Sequence, residues 1–115
     1  KTCAHDNVMN IPLADGASGD TFRDVMTHHV LPAVAAHKPE LLFISAGFDA
    51  HARDPLAGLL FETEDFAWAT AALCDLAGEH CGGKVVSCLE GGYDLEALGA
   101  SAAAHVTVLK EKGDG

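Results

Sequence analysis

The segment LLFISAGFDAHARDPLAG, residues 41–58, determines how the rest of this sequence is interpreted. Its first six residues form an apolar run of the length that a buried β-strand needs. The run ends at Gly47, and the loop that follows carries Asp49 and His51 among other charged residues. Ligands of open α/β sheets bind beyond the carboxyl ends of parallel strands. The segment therefore predicts a central strand whose exit carries functional side chains.

A second segment repeats this layout farther along the chain. Residues 84–90, KVVSCLE, read as another strand and lead into Gly91, Gly92 and Tyr93. Glycines let the backbone pass close to a ligand, and a phenol held there could donate to a developing oxyanion. The alternative is an ordinary aromatic side chain that covers the sheet edge, but the only tyrosine of the chain at a glycine-rich strand exit favours a functional role. A carboxylate at Asp49 suits a divalent metal ion, but it could also be a loop cap.

The first third of the chain predicts one strand and one helix. Residues 7–13, NVMNIPL, alternate weakly and read as a strand, and apolar residues at helical spacing follow from Asp20, which can cap the helix. Pro32 should kink or interrupt that helix. Adjacent helical residues point about 100° apart, so His28 and His29 cannot converge on one metal. We expect His28 to be solvated and His29 to be partly buried.

Two more helices complete the predicted topology. Thr63 looks like the cap of a helix that ends at Gly82 and Gly83, and Asp94 looks like the cap of the last one. The face of the last helix is predicted to consist of Leu95, Leu98, Ala102, Val106 and Leu109. The order strand, helix, strand, helix, strand, helix predicts an α/β fold with parallel strands. Since both edges of such a small sheet would be unpaired, we expect homo-oligomers or domain swapping of the chain.

Composition narrows the possible partners. The chain has 115 residues, enough for one small domain, and its formal net charge of −10 argues against a nucleic-acid partner. That charge is compatible with cationic substrates, although acidic surfaces also serve solubility alone. No apolar run approaches the roughly 20 residues of a membrane span. The four cysteines form no CxxC pair, which favours a reducing cytoplasm.

Taken together, the motifs AGFDAHARDPLAGL, residues 46–59, and LEGGYDLEAL, residues 89–98, resemble the histone deacetylase superfamily. This superfamily includes acetylpolyamine amidohydrolases and acetoin-utilisation proteins. The segments NIPLADGASGD, TEDFAWAT and SAAAH look like the carboxyl-terminal half of the same family, so the resemblance covers essentially the whole chain. It implies a three-layer α/β/α architecture with a parallel sheet, part of an arginase/deacetylase-like fold.

The resemblance also implies roles for particular residues. Asp49 matches a ligand of a catalytic Zn²⁺, and Tyr93 matches the tyrosine that stabilises the tetrahedral oxyanion. Leu56 matches an apolar residue at the rim of the substrate tunnel, which Gly91 and Gly92 would line beside the metal. The implied reaction is hydrolysis of the acetyl amide of acetyl-lysine or of an acetylated polyamine.

Other features of the family have no match in this chain. Its Asp-x-His metal motif and its paired catalytic histidines lie upstream of the matched half, and a catalytic zinc takes about three protein ligands. We therefore expect residues 1–115, which begin at Lys1 rather than Met, to be a carboxyl-terminal fragment that is inactive alone and binds zinc weakly. One alternative is a non-catalytic interaction domain with the deacetylase fold. A nucleotide-binding Rossmann-like domain is disfavoured because no GxGxxG motif follows the first strand.

Overall fold

The computed structural model describes residues 8–48, 51–52, 59–92 and 94–114. Within these ranges, two strands and four α-helices follow one another along the chain, and a π-helical turn lies between the first two helices. In chain order they are α1 (Gly19–Val25), the π-helical turn (Met26–Val30), α2 (Leu31–His37), β1 (Leu42–Ala46), α3 (Thr63–His80), β2 (Val85–Leu89) and α4 (Leu95–Asp114).

Strands β1 and β2 lie side by side and run parallel. Leu42 is opposite Val85 and Ala46 is opposite Leu89, so the ladder is in register over its whole length. A parallel pair needs a long crossover connection, and α3 provides it. The predicted parallel arrangement of these two strands is confirmed.

The strand predicted at residues 7–13 is wrong for the part that the structure describes. Asn7 lies outside the described residues, and positions 8–14 have no strand conformation. A strand needs a neighbour for its backbone hydrogen bonds, and β1 and β2 pair with each other. Instead, Leu13 packs against the hydrophobic core, while Val8 and Met9 are exposed.

The first helical region is interrupted near Pro32, as predicted. Pro32 lies in the first turn of α2, immediately after the π-helical turn Met26–Val30. Proline has no backbone N–H and its ring clashes with the carbonyl four residues earlier, so the preceding turn widens. Met26, at the start of the π-helical turn, is buried, whereas His29 within the turn is exposed rather than partly buried as predicted.

The helix caps differ from the predictions at two starts. Ser18, not Asp20, occupies the N-cap position of α1. Glu62, not Thr63, caps α3 in a reciprocal capping box, in which Asp65 Oδ2 accepts the backbone N–H of Glu62 at 2.8 Å. The capping box explains the shift, because it satisfies two free N–H groups at once.

The predicted end of α3 and the predicted cap of α4 are confirmed. Gly82 and Gly83 follow α3 with φ angles of 64° and 79°, a backbone conformation that favours glycine. At the start of α4, Asp94 Oδ1 accepts the backbone N–H of Ala97 at 2.9 Å. Both features depend on local chemistry, which the sequence displays directly.

The predicted inner face of α4 is wrong at two of its five positions, while Leu98 and Ala102 do pack against the hydrophobic core. Leu95 and Val106 are 83% and 59% exposed, whereas Ala97, Ser101 and His105 are buried. These three residues are spaced four apart and so share one helix face. Two of them are small, which lets α4 approach its neighbours closely, and the larger apolar side chains Leu95 and Val106 lie outside.

The hydrophobic core lies beneath the carboxyl end of β1. It consists of Ala46, Phe48, Phe61 and Phe66, with partly buried apolar side chains packed around them. Full burial of a phenylalanine contributes roughly 1.5–3 kcal/mol. This apolar cluster therefore supports the point at which β1 ends.

Candidate functional site

The two strand exits are joined by backbone hydrogen bonds. Glu90 donates its backbone N–H to the carbonyl of Ala46 at 2.9 Å, and Phe48 donates to the carbonyl of Gly91 at 2.8 Å. The ladder therefore continues beyond the last paired residues of β1 and β2. The two glycine-containing exits therefore lie side by side at the carboxyl-terminal end of the sheet.

Three predicted site residues follow these exits but lie outside the described residues: Asp49, Leu56 and Tyr93. Asp49 comes directly after Phe48 in the sequence, and Tyr93 comes directly after Gly92. Their roles as metal ligand, tunnel rim and oxyanion donor stay predictions.

Gly92 adopts a backbone conformation that favours glycine. Its φ is 140°, and an added Cβ would lie 2.8 Å from Leu98 Cδ1 and 3.5 Å from Phe48 Cβ. A side chain here would strain the backbone and would also require the Leu98 side chain to shift. The structure thus explains the glycine, while the predicted contact of Gly91 and Gly92 with substrate stays a prediction.

Phe48 is held between two aromatic side chains. Its ring makes edge contacts with Phe66 of α3 at 5.1 Å and with His105 of α4 at 5.7 Å between ring centroids. Phe48 itself is only 4% exposed. The end of the central strand is therefore packed against both neighbouring helices.

His105 joins α4 to α3 and β2 through both ring nitrogens. Nδ1 lies 2.7 Å from Thr70 Oγ1, and Nε2 lies 2.8 Å from Ser87 Oγ. Thr70 donates its hydroxyl proton to the carbonyl of Phe66. Its oxygen must then accept from Nδ1–H, which leaves Nε2 to accept the proton of Ser87.

Burial lowers the pKa of His105 below its ordinary value, because desolvation disfavours the charged imidazolium. The neutral tautomer satisfies both hydrogen bonds. Sequence reasoning overlooked this residue. The available signal was its spacing, since His105 follows the small residues Ala97 and Ser101 at intervals of four.

His51 is also buried, beside the exit of β1. Its Nε2 lies 3.3 Å from Thr63 Oγ1, and its ring stacks on Phe66 with a centroid distance of 6.4 Å. The backbone N–H of His51 donates to the carbonyl of Phe48 at 3.3 Å. The contacts with Thr63 and Phe66 place the imidazole against α3.

The described residues do not form a metal site. No group of three or more His, Cys, Asp or Glu side chains in this part of the chain could hold a metal ion. A catalytic zinc usually takes three protein ligands. The described residues alone therefore do not fit such an ion, and Asp49 is the chain's predicted contribution.

Comparison with known proteins identifies the family. The sequence model of the histone deacetylase domain matches residues 1–109. This chain belongs to the histone deacetylase domain family. The predicted family is thereby confirmed.

Relatives with curated sequences share substantial identity with the chain. It is 44% identical over 95 residues to histone deacetylase 10, chloroplastic, from rice (Oryza sativa subsp. japonica), covering 83% of this chain and 21% of that protein. It is 40% identical over 85 residues to a histone deacetylase-like amidohydrolase from Pseudomonas aeruginosa, covering 74% of this chain and 22% of that protein. The chain thus spans about a fifth of the length of these relatives.

Solved structures support the same fold. The crystal structure of the HDA15 HD domain matches with a TM-score of 0.79 and 37% identity, over 86% of this chain and 27% of that one. The structure of the histone deacetylase Clr3 matches with a TM-score of 0.76 and 29% identity, over 84% of this chain and 16% of that one. The predicted α/β arginase/deacetylase-like fold is confirmed.

These findings assign the chain to a family of deacetylases and amidohydrolases, which are hydrolases. Two relatives, from rice and Arabidopsis thaliana, are named as chloroplastic, so the cytoplasmic location predicted for this chain stays a prediction. Among the described residues, no helix has both the length and the apolar character to span a bilayer.

Proposed function

We propose that this chain is the carboxyl-terminal part of a zinc-dependent deacetylase. The substrate would be an acetylated amine, either acetyl-lysine or an acetylated polyamine. The observation that carries the proposal is the hydrogen bond between the Phe48 N–H and the Gly91 carbonyl. It joins the two strand exits one residue before the predicted metal ligand Asp49 and two residues before the predicted oxyanion donor Tyr93.

Each predicted residue has a distinct task in this proposal. The phenol of Tyr93 donates to the oxygen of the acetyl carbonyl as negative charge develops there, an interaction that acts mainly in the transition state. Asp49 contributes one carboxylate to Zn²⁺, Leu56 contacts the substrate at the rim, and Gly91 and Gly92 line the passage beside the metal.

The remaining metal ligands and the proton-transferring histidines would come from sequence outside these 115 residues. A single carboxylate is not enough to hold a catalytic zinc, so the isolated chain is expected to be inactive. The net charge of −10 suits substrates that carry amines, and it disfavours direct binding to nucleic acid. A cytoplasmic location is part of the same proposal.

The test uses the full-length gene product that carries these residues. Purified protein is assayed on an acetyl-lysine peptide and on a monoacetylated diamine, and the released acetate is measured. The proposal expects turnover of at least one substrate, loss of turnover with a zinc chelator and recovery when Zn²⁺ is restored. Zinc-loaded, folded protein that hydrolyses neither substrate would contradict the proposal and favour the non-catalytic interaction domain.

A further inference from the structure

His105 is a buried polar residue that the proposed chemistry does not use. It is only 7% exposed and lies on α4, remote in sequence from both strand exits. Its ring nevertheless contacts Phe48, the last described residue before the predicted metal ligand. A buried imidazole needs hydrogen-bond partners for both nitrogens, and here Thr70 and Ser87 supply them.

We propose that His105 is a positioning residue of the deacetylase site, which holds the Phe48 ring and with it the exit of β1. This inference rests on the proposed function, because the exit matters for catalysis only if Asp49 and Tyr93 act there.

The geometry explains how the restraint works. Thr70 and Ser87 lie on two different elements, so their hydroxyls fix the imidazole at two points and leave its ring little freedom to rotate. The fixed ring then forms one wall around Phe48, and Phe66 forms another. The backbone of Phe48 is tied to Gly91 at the same time. Ring packing and backbone pairing thus set the direction in which the chain leaves β1.

Catalytic groups are held best when the residues beneath them are themselves locked by packing and hydrogen bonds. A misplacement of about 1 Å can cost roughly 100-fold in rate. Removal of the His105 ring should therefore affect turnover more strongly than substrate binding, since the substrate contacts at the rim stay in place.

The test compares three variants in the full-length gene product. His105→Ala removes the ring and both hydrogen bonds. The double variant His105→Phe with Ser87→Ala keeps a ring against Phe48. Ser87→Ala is included because the Ser87 hydroxyl would otherwise lose its hydrogen-bond acceptor. Leu76→Ala is the matched control, because Leu76 is buried in α3 six residues beyond Thr70, and its truncation removes apolar packing but neither hydrogen bond of His105.

Steady-state kinetics are measured well below the melting temperature of every variant. We expect His105→Ala to lower kcat by at least about tenfold with KM changed less than about threefold. The double variant should recover most of the lost kcat, and Leu76→Ala should keep kcat within about twofold of the parent protein. Equal losses in His105→Ala and Leu76→Ala at the same degree of destabilisation would overturn the proposal.

Hydrogen exchange provides a readout that does not depend on activity. The amide of Phe48 should exchange faster in His105→Ala than in the parent and the double variant, relative to amides in the middle of α3. Unchanged protection of Phe48 in His105→Ala would overturn the positioning role even if turnover falls. A parent protein that hydrolyses no acetylated amine would refute the proposed function, while the exchange result would still decide whether His105 holds the β1 exit.

Discussion

Gly19 lies so close to Asp65 that a methyl group at residue 19 would overlap the Asp65 carboxylate. That carboxylate accepts hydrogen bonds from Arg23 Nε at 2.9 Å and from the backbone N–H of Glu62 at 2.8 Å. It therefore connects α1 to the start of α3, and α3 in turn carries Phe66, whose ring packs against Phe48 at the β1 exit. The absence of a side chain at Gly19 is what allows this contact.

Gly19→Ala should destabilise the fold. The added methyl group would displace the Asp65 carboxylate and weaken both of its hydrogen bonds, at a cost of about 1–3 kcal/mol. Urea unfolding followed by circular dichroism measures the change. Gly78→Ala is the matched control, because Gly78 lies within α3 and an added Cβ there meets nothing within 4 Å. The free energy of unfolding of the control should rise by roughly 0.5–1 kcal/mol. An equal change in the free energy of unfolding in both variants would show that the Asp65 contact is unimportant.

Features encoded by a few neighbouring residues could be predicted from the sequence. The apolar run before Gly47 and the glycine pair after α3 are local signals, and both were interpreted correctly. The same is true of the Asp94 cap, whose carboxylate meets an N–H only three residues away.

Features that depend on distant partners could not be predicted in this way. The face of α4 is decided by the residues that meet it: Thr70 lies 35 positions from His105, and Ser87 lies 18 positions away. Hydrophobicity alone favoured Leu95, which is in fact the most exposed of the large apolar side chains described. The strand pattern indicated where the candidate site lies, but the roles of its residues could be assigned only through the family resemblance, because a carboxylate and a phenol at strand exits are compatible with several roles.

Protonation of His105 should destabilise the fold. The pKa of His105 is lowered in the folded state, so the unfolded chain binds a proton near the ordinary value of 6.5 while the folded chain does not. Stability is therefore lost as the pH falls below about 6.5, by at most about 1.4 kcal/mol at about pH 5.5. Urea unfolding measures the decrease in the free energy of unfolding between about pH 7.5 and about pH 5.5. This decrease should be smaller in the double variant His105→Phe with Ser87→Ala than in the parent protein. The same pH dependence in both proteins would exclude His105 as its source.

The outer face of the sheet should drive self-association of the 115-residue chain. Phe43 and Val86 are paired across β1 and β2, and they are 65% and 41% exposed. An exposed apolar sheet face is prone to associate, and among the described residues β1 and β2 have no further strand beside them. A lysine on this face should oppose the association. Light scattering across a tenfold range of concentration should show that Phe43→Lys lowers the associated fraction. Leu95→Lys, on the exposed side of α4, should leave the fraction unchanged, and a monomer mass for the parent at every concentration would refute this prediction.

In the full-length gene product, Tyr93→Phe should lower turnover without lowering stability, whereas Asp94→Ala should mainly lower stability. Loss of one oxyanion donor costs about 2.7–4 kcal/mol, so Tyr93→Phe should lower kcat by 100- to 1,000-fold while the melting temperature stays the same. Asp94 caps α4, and its loss should cost about 0.5–2 kcal/mol of stability with a much smaller effect on kcat. Steady-state kinetics and thermal unfolding separate the two roles. A Tyr93→Phe variant that keeps its full turnover would remove this residue from the mechanism.

Zinc content should distinguish the isolated chain from the full-length gene product. One carboxylate from Asp49 is too few ligands, and the described residues contain no group of three metal-binding side chains. At micromolar concentration and neutral pH, the 115-residue chain should therefore hold less than about 0.1 zinc per chain. Native mass spectrometry measures this ratio, with the full-length product expected near one zinc and its Asp49→Asn variant well below that. Stoichiometric zinc on the isolated chain would contradict the prediction, since it would require a complete ligand set within these 115 residues.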